Sequence, residues 1–285
     1  MRAERLCAAH CTIGESPVWM AGESALYWVD IGQSRLHRLC DETHESFALP
    51  ETVSAFAPAA AGGFVAAARR GFARLEFNAG EIRHAALAPL PAAGPDIRMN
   101  DGALDRQGRF WAGSMPSPPE PADPQGHLFR LDTRGMADVR GGLLTQNGLA
   151  FSPDGRTMYL SDSHPAVSRI WAFDYDTETG TPSNQRIFAE RETIGGRPDG
   201  ATVDCDGCYW IAASDGGRIV RLTPAGAVDA VIEVPTRNPT NICFGGPDLS
   251  TLFITSLTPA DPDQQAGNLF VRATPWQGIA ETPFA

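Results

Sequence analysis

The chain has 285 residues, 42% hydrophobic and 20% charged, with a formal net charge of −11. That acidic excess, with no block of Lys or Arg to meet phosphates, argues against nucleic acid and anionic membrane surfaces as partners. No apolar run reaches the roughly 20 residues of a spanning helix. Met1-Arg2-Ala3-Glu4-Arg5 leads into no apolar stretch of a secretory leader, so the expectation is a cytoplasmic protein with reduced thiols.

In chain order the same unit returns. Residues 17–20, a glycine-containing turn, residues 25–30, a loop and residues 35–39 read as strand, turn, strand, loop, strand. Residues 57–60, 64–67 and 73–77 repeat it through Gly62-Gly63, and residues 102–105, 109–113 and 127–131 through Gln107-Gly108. Three further units follow, through Pro153-Asp154-Gly155, Asp206-Gly207 and Gly246-Pro247-Asp248. With Tyr27, Phe64, Phe110, Tyr159, Tyr209 and Phe253 as equivalents, the period is roughly 37–50 residues. A weaker outer strand follows some units, as at residues 185–189 and 230–234.

About four strands in each of about six units predict an all-β, six-bladed β-propeller with a central channel, residues 1–285 forming one domain. A sandwich or barrel of short strands is the rival architecture. Cys205-Asp206-Gly207-Cys208 has Asp-Gly at its centre and no second Cys pair at metal-site spacing, so it reads as a hairpin turn. His10, His37, His44, His84, His127 and His164 share no spacing and read as structural or exposed.

One position recurs with oxygen-bearing side chains. Asp199 stands between Pro198 and Gly200, just where a strand is expected to begin, with Pro198 stiffening the loop and Gly200 open to backbone angles other residues avoid. Glu15, Asp101, Asn147 and Thr240 take the same place in other units. In a propeller these residues, far apart in sequence, meet at one mouth of the channel. Carboxylates and an amide carbonyl suit a hard divalent cation such as Ca²⁺, Mg²⁺ or Mn²⁺, and the absence of His and Cys speaks against a dedicated zinc site. Arg98, two residues before Asn100, is either a salt-bridge partner or a donor to substrate oxygens.

Gly14-Glu15-Ser16-Pro17-Val18-Trp19, Arg98-Met99-Asn100-Asp101-Gly102, residues 147–155 and Pro198-Asp199-Gly200 resemble the SMP-30/gluconolactonase/regucalcin family, over nearly the whole chain. The resemblance implies a propeller with one divalent metal in the channel mouth: calcium first, with zinc, manganese, magnesium or iron as alternatives. It implies hydrolysis of a small-molecule sugar lactone to the aldonic acid, in a monomer or weak homo-oligomer. By the same resemblance Glu15, Asn147 and Asp199 match metal ligands, Asp199 also the catalytic base, and Arg98, Asn100 and Asp101 substrate-binding positions. Animal members carry a substrate-contacting Glu after the motif matching Gly113-Ser114-Met115; here Pro116-Ser117-Pro118-Pro119-Glu120 follows, so that contact shifts to Glu120 or is lost. Two alternatives remain beside the lactonase: another hydrolase on this scaffold, acting on phosphotriesters or aryl esters, and a non-catalytic calcium-binding regulatory protein.

Overall fold

Six antiparallel sheets of four strands follow one another along the chain. The structure, a computed structural model, describes residues 1–78, 81–91, 97–118 and 123–285; Glu120 lies outside the described residues. The first strands of successive sheets pack on one another all the way round, and Gly14–Met20 of the first meets Pro239–Gly245 of the last. This is a closed ring, a six-bladed β-propeller with its first strands lining the axis, and it excludes the sandwich or open barrel.

Patterning explains the blades. The second strands Ala25–Asp30, Phe110–Pro116, Tyr209–Ser214 and Thr251–Ser256 are buried on nearly every residue, as strands covered on both faces must be. The outermost strands, such as Thr43–Ala48 and Thr181–Glu190, are largely exposed and polar. The repeating aromatics fill the space between blades: Tyr27 lies 5.3 Å from Phe64 edge-on, and Tyr159 4.8 Å from Tyr209. Burying such rings is the largest apolar gain available to each interface.

Two chain ends complete the ring. Glu4–Cys7 pairs with Leu269–Ala273 and becomes the outer strand of the last blade. The C-terminal segment crosses the far face: Cys205 N–H donates to Gln277 O, Gly278 N–H to Leu249 O, and Phe284 N–H to Pro58 O. The Cys205–Cys208 turn is a hairpin closed by Asp204 N–H to Cys208 O at 3.1 Å, and both thiols are free. No helix among the described residues is long and apolar enough to cross a membrane.

Candidate active site at the channel mouth

Each inner strand is irregular at the same height. Asn147 pairs with Ser161 and Ala150 with Tyr159, so two residues face one. The same extra residue falls between Glu15 and Val18, Met99 and Gly102, Pro198 and Ala201, and Pro239 and Ile242, while in blade 2 the register slips between Val53 and Ala55. A bulge re-aims side chains that alternation would send to opposite faces. The site residues therefore sit inside the inner strands, at bulges, and not on loops before them as expected: Asp199 belongs to Arg197–Val203 and Glu15 to Gly14–Met20.

The bulges gather six buried side chains: Glu15, Asn100, Asp101, Asn147, Asp199 and Asn241. Asn100 Nδ2 donates to Gln146 O at 2.7 Å and to Asn147 Oδ1 at 3.2 Å. Asn147 Nδ2 donates to Ser163 Oγ at 2.7 Å, and that hydroxyl donates to Pro198 O. The amide is thereby fixed with its carbonyl oxygen toward the ring. Asp101 Oδ2 accepts Leu149 N–H at 3.0 Å, and Asp101 Oδ1 meets Asn241 Nδ2 at 3.4 Å, from blades on opposite sides of the channel. Half-buried Arg98 donates from Nη1 to Met99 O and to Asn100 Oδ1.

Asn241, not Thr240, is the last blade's contribution. The Thr240 hydroxyl lies against Gly14 O and 2.9 Å from Thr255 Oγ1, pinning the last blade to the first. Asn241 Nδ2 reaches Glu15 instead. The signal was in the sequence: Asn241-Ile242-Cys243-Phe244 repeats the Asn-then-apolar order of Asn147-Gly148-Leu149-Ala150-Phe151. Ser163 carried no comparable mark.

The glycines here serve two ends. Gly148 has φ +59° and its carbonyl accepts Tyr209 OH at 2.8 Å. Gly200 is needed for space and not for unusual angles: a Cβ there would stand 2.1 Å from Asn241 Cγ.

Electrostatics set the ring apart. Burial raises Glu15 well above the usual carboxylate range, and the Asp199 and Asp101 charges add to it against the Asn241 and Ser16 hydrogen bonds. Burial pushes Asp101 up to about 7, opposed by Leu149 N–H and assisted by Asp199. Asp199 is pushed up to about 6 by burial, with Arg197 pulling the other way. Arg197 lies 3.6 Å from Asp199 and 3.5 Å from Asp215. Three carboxylates whose proton affinities are raised chiefly by burial, plus an oriented amide oxygen, fit a hard divalent cation: its charge offsets theirs and its preference is for oxygen.

A second grouping does not ask for a metal in this way. Cys11, Asp30 and His37 bring ligand atoms within 4.8 Å of one another. The Asp30 oxygens are already taken by the N–H groups of Thr12, Ile13, Gly32 and Gln33. Burial pushes the Cys11 thiol up to about 12 and His37 down to about 4, so both are neutral at pH 7. Beneath the ring, a cavity of about 400 Å³ runs from Ser16, Asp101 and Asn241 to Ile279, Ala280 and Glu281 of the C-terminal segment.

Comparison with known proteins agrees with this architecture. Residues 13–258 match the family model described as SMP-30/Gluconolactonase/LRE-like region. A 6-deoxy-6-sulfogluconolactonase of Pseudomonas putida is 44% identical, over 86% of this chain and 83% of its own. A pentonolactonase of Haloferax volcanii is 34% identical, over 94% and 89%. The crystal structure of a calcium-binding protein, regucalcin, from Agrobacterium tumefaciens superposes with a TM-score of 0.89 at 27% identity, over 96% of this chain and 94% of that one. The chain belongs to the SMP-30/gluconolactonase/LRE-like family.

Proposed function

We propose that the protein is a metal-dependent sugar lactonase, hydrolysing an aldonolactone of the gluconolactone, xylonolactone or arabinonolactone type to the aldonic acid. The observation that carries the metal and the chemistry is the ring of three buried carboxylates, Glu15, Asp101 and Asp199, with Asn147 Oδ1 turned inward. Lactone hydrolysis is supported by the relatives named for it in Pseudomonas putida and Haloferax volcanii. The relatives named regucalcin and the calcium-binding structure favour calcium as the cation, with zinc, manganese, magnesium or iron as alternatives.

Glu15, Asn147 and Asp199 would hold the cation. When bound, it supplies Lewis-acid polarisation of the lactone carbonyl and charge for the oxyanion. Asp199 accepts the proton of the attacking water and returns it to the ring oxygen as the acyl C–O bond breaks. Burial raises its proton affinity in the cation-free protein, and a bound cation would lower it again, so that Asp199 would be ionised and ready to accept a proton at pH 7. Arg98 and Asn100 orient the sugar: Asn100 is locked by Gln146 and Asn147, and Arg98 is anchored to Asn100 through one nitrogen. Asp101 faces Leu149 and Asn241 and closes the floor of the site.

The test is proton release on a panel of aldonolactones with chelated and metal-reloaded protein. Turnover that requires the cation is expected. Turnover indifferent to chelator and to added Ca²⁺, Mg²⁺, Mn²⁺, Fe²⁺ or Zn²⁺ would falsify the metal mechanism.

A further inference from the structure

The ring is acidic, yet the wall above blades 2 and 3 is basic. Blade 2 brings no carboxylate to the ring. Ser54 stands there, its hydroxyl 3.2 Å from Ala67 O and 2.8 Å from Asn100 O. That second contact fixes the relative height of the two inner strands. Two residues toward the mouth from Ser54 is Thr52, and two residues toward the mouth from Asn100 is Arg98. Thr52 O accepts the N–H of Arg69 at 2.8 Å, and Arg69 follows directly on the strand Phe64–Ala68. Arg69 and Arg98 therefore stand side by side at the mouth.

Arg98 uses Nη1 for Met99 O and Asn100 Oδ1; its Nε and Nη2 make no hydrogen bond among the described residues. Among the described residues neither Arg98 nor exposed Arg69 has a carboxylate within 4.0 Å, whereas Arg197, entering the mouth from blade 5, reaches both Asp199 and Asp215. The two guanidiniums feel each other: burial lowers the proton affinity of Arg98 and the Arg69 charge adds to this, against the pull of Glu15 and Asp199. Two forked cations with no carboxylate within 4.0 Å among the described residues form a receptor for an oxyanion, which a neutral sugar hydroxyl satisfies poorly.

We propose that the lactone this protein takes carries a tetrahedral oxyanion, sulfonate or phosphate, at the end of the sugar away from its carbonyl, and that Arg69 and Arg98 bind it. The inference rests on the lactonase reading of the ring. The polarity of the mouth then sets the substrate's direction, with the carbonyl at Glu15, Asn147 and Asp199 and the anionic end held away from them toward blades 2 and 3.

The experiment compares kcat/KM of the cation-loaded, full-length protein on glucono-δ-lactone, its 6-phosphate and its 6-deoxy-6-sulfo analogue. Calorimetry on the same protein compares gluconate with the two corresponding anionic aldonates. A charged lactone is expected to exceed the neutral one about 10- to 100-fold, the worth of one or two charge-assisted hydrogen bonds. The aldonates should follow the same order in affinity. Arg69→Gln should cut the charged-to-neutral ratio about tenfold; in a ratio, general losses of fold or cation cancel. Which oxyanion gains more identifies its source. A ratio near one, or one that Arg69→Gln leaves intact, overturns the inference while the lactonase stands. If no lactone turns over, the lactonase reading falls, and calorimetry decides the anion site alone, equal affinities overturning it.

Discussion

Asn241 donates from Nδ2 to Glu15 Oε2 at 2.9 Å, joining residues 226 positions apart and closing the ring from its last blade to its first. The same nitrogen meets Asp101 from the opposite side of the channel. One amide thus serves two buried carboxylates. Asn241→Leu should destabilise the chelated protein by about 1–3 kcal/mol, because both carboxylates lose a donor they cannot replace with water. Thermal melts with and without Ca²⁺ check this: the loss should shrink when the cation is present, and equal losses in both would put Asn241 outside the charge network.

Asp199→Asn is near-isosteric and should leave the fold intact. The kcat for lactone hydrolysis should fall about 10²–10⁴-fold, the usual worth of a positioned general base. Melting in chelator should hold or rise, since one of three like charges has gone. Wild-type kcat with the cation still bound would assign the base to another group.

The pH dependence follows from the sign of the shifts. Asp101 is raised from 3.8 to about 7 and Asp199 from 3.8 to about 6, so the folded, cation-free protein binds more protons than the unfolded chain between about pH 4 and 7. Stability must then fall as pH rises through that window. Buried His37, lowered from 6.5 to about 4, acts in the opposite sense, costing stability as pH falls below 6.5. The ring's share is isolated by Asp101→Asn, whose advantage over wild type in chelator should grow from pH 5 to pH 7.5. Saturating Ca²⁺ should abolish that advantage and stabilise wild type by about 2.7 kcal/mol at a hundredfold excess over Kd. An advantage independent of pH would show that the carboxylates are not strained by burial.

Ser163→Ala removes the hydroxyl between Asn147 Nδ2 and Pro198 O. The amide then loses what holds its oxygen toward the ring. Cation affinity should weaken about 10-fold, as when other supports of a metal ligand are removed. Titration with Ca²⁺ reads this directly, and Ser163→Thr should restore most of the affinity. An unchanged affinity in Ser163→Ala would mean that Asn147 is oriented by Asn100 alone.

The period of the aromatics was legible because the second strand of each blade carries one large buried ring, Tyr27, Phe64, Phe110, Tyr159, Tyr209 and Phe253. The rings do not stand at one depth, since Tyr27 pairs with Val18 directly after its bulge and Phe110 with Leu104 two residues further on. The recurrence of Glu15, Asn147 and Asp199 before apolar runs was legible for a related reason: every blade presents the same height of its inner strand to the axis. The bulges were not legible. They are defined by pairing with a second strand some ten or more residues away, and no local residue type marks them. That is why the ring residues were expected on loops, and why Thr240 was preferred over Asn241 when a shift of one residue exchanges channel for blade interface. The role of Gly200 escaped for the same reason, since the atom that excludes a Cβ there belongs to Asn241 on another blade. The strand Glu4–Cys7 carries no signal of its own, because the edge it completes lies at the other end of the chain.

That pairing of Glu4–Cys7 with Leu269–Ala273 has a consequence for biosynthesis. Glu4–Cys7 precedes every blade in the chain, yet it is needed by the last of them. Until Leu269–Ala273 emerges, Glu4–Cys7 has no mate and the growing arc keeps an unpaired blade at each end, the kind of edge that recruits foreign strands. Closure is a contact across almost the full sequence, so it comes late and slowly, after the separate blades have formed. The ring residues contributed by the first and last blades, Glu15 and Asn241, come together only at that step. A nascent or truncated chain can thus hold five blades of native strands and still lack the contact of Asn241 with Glu15 that joins the ends of the ring.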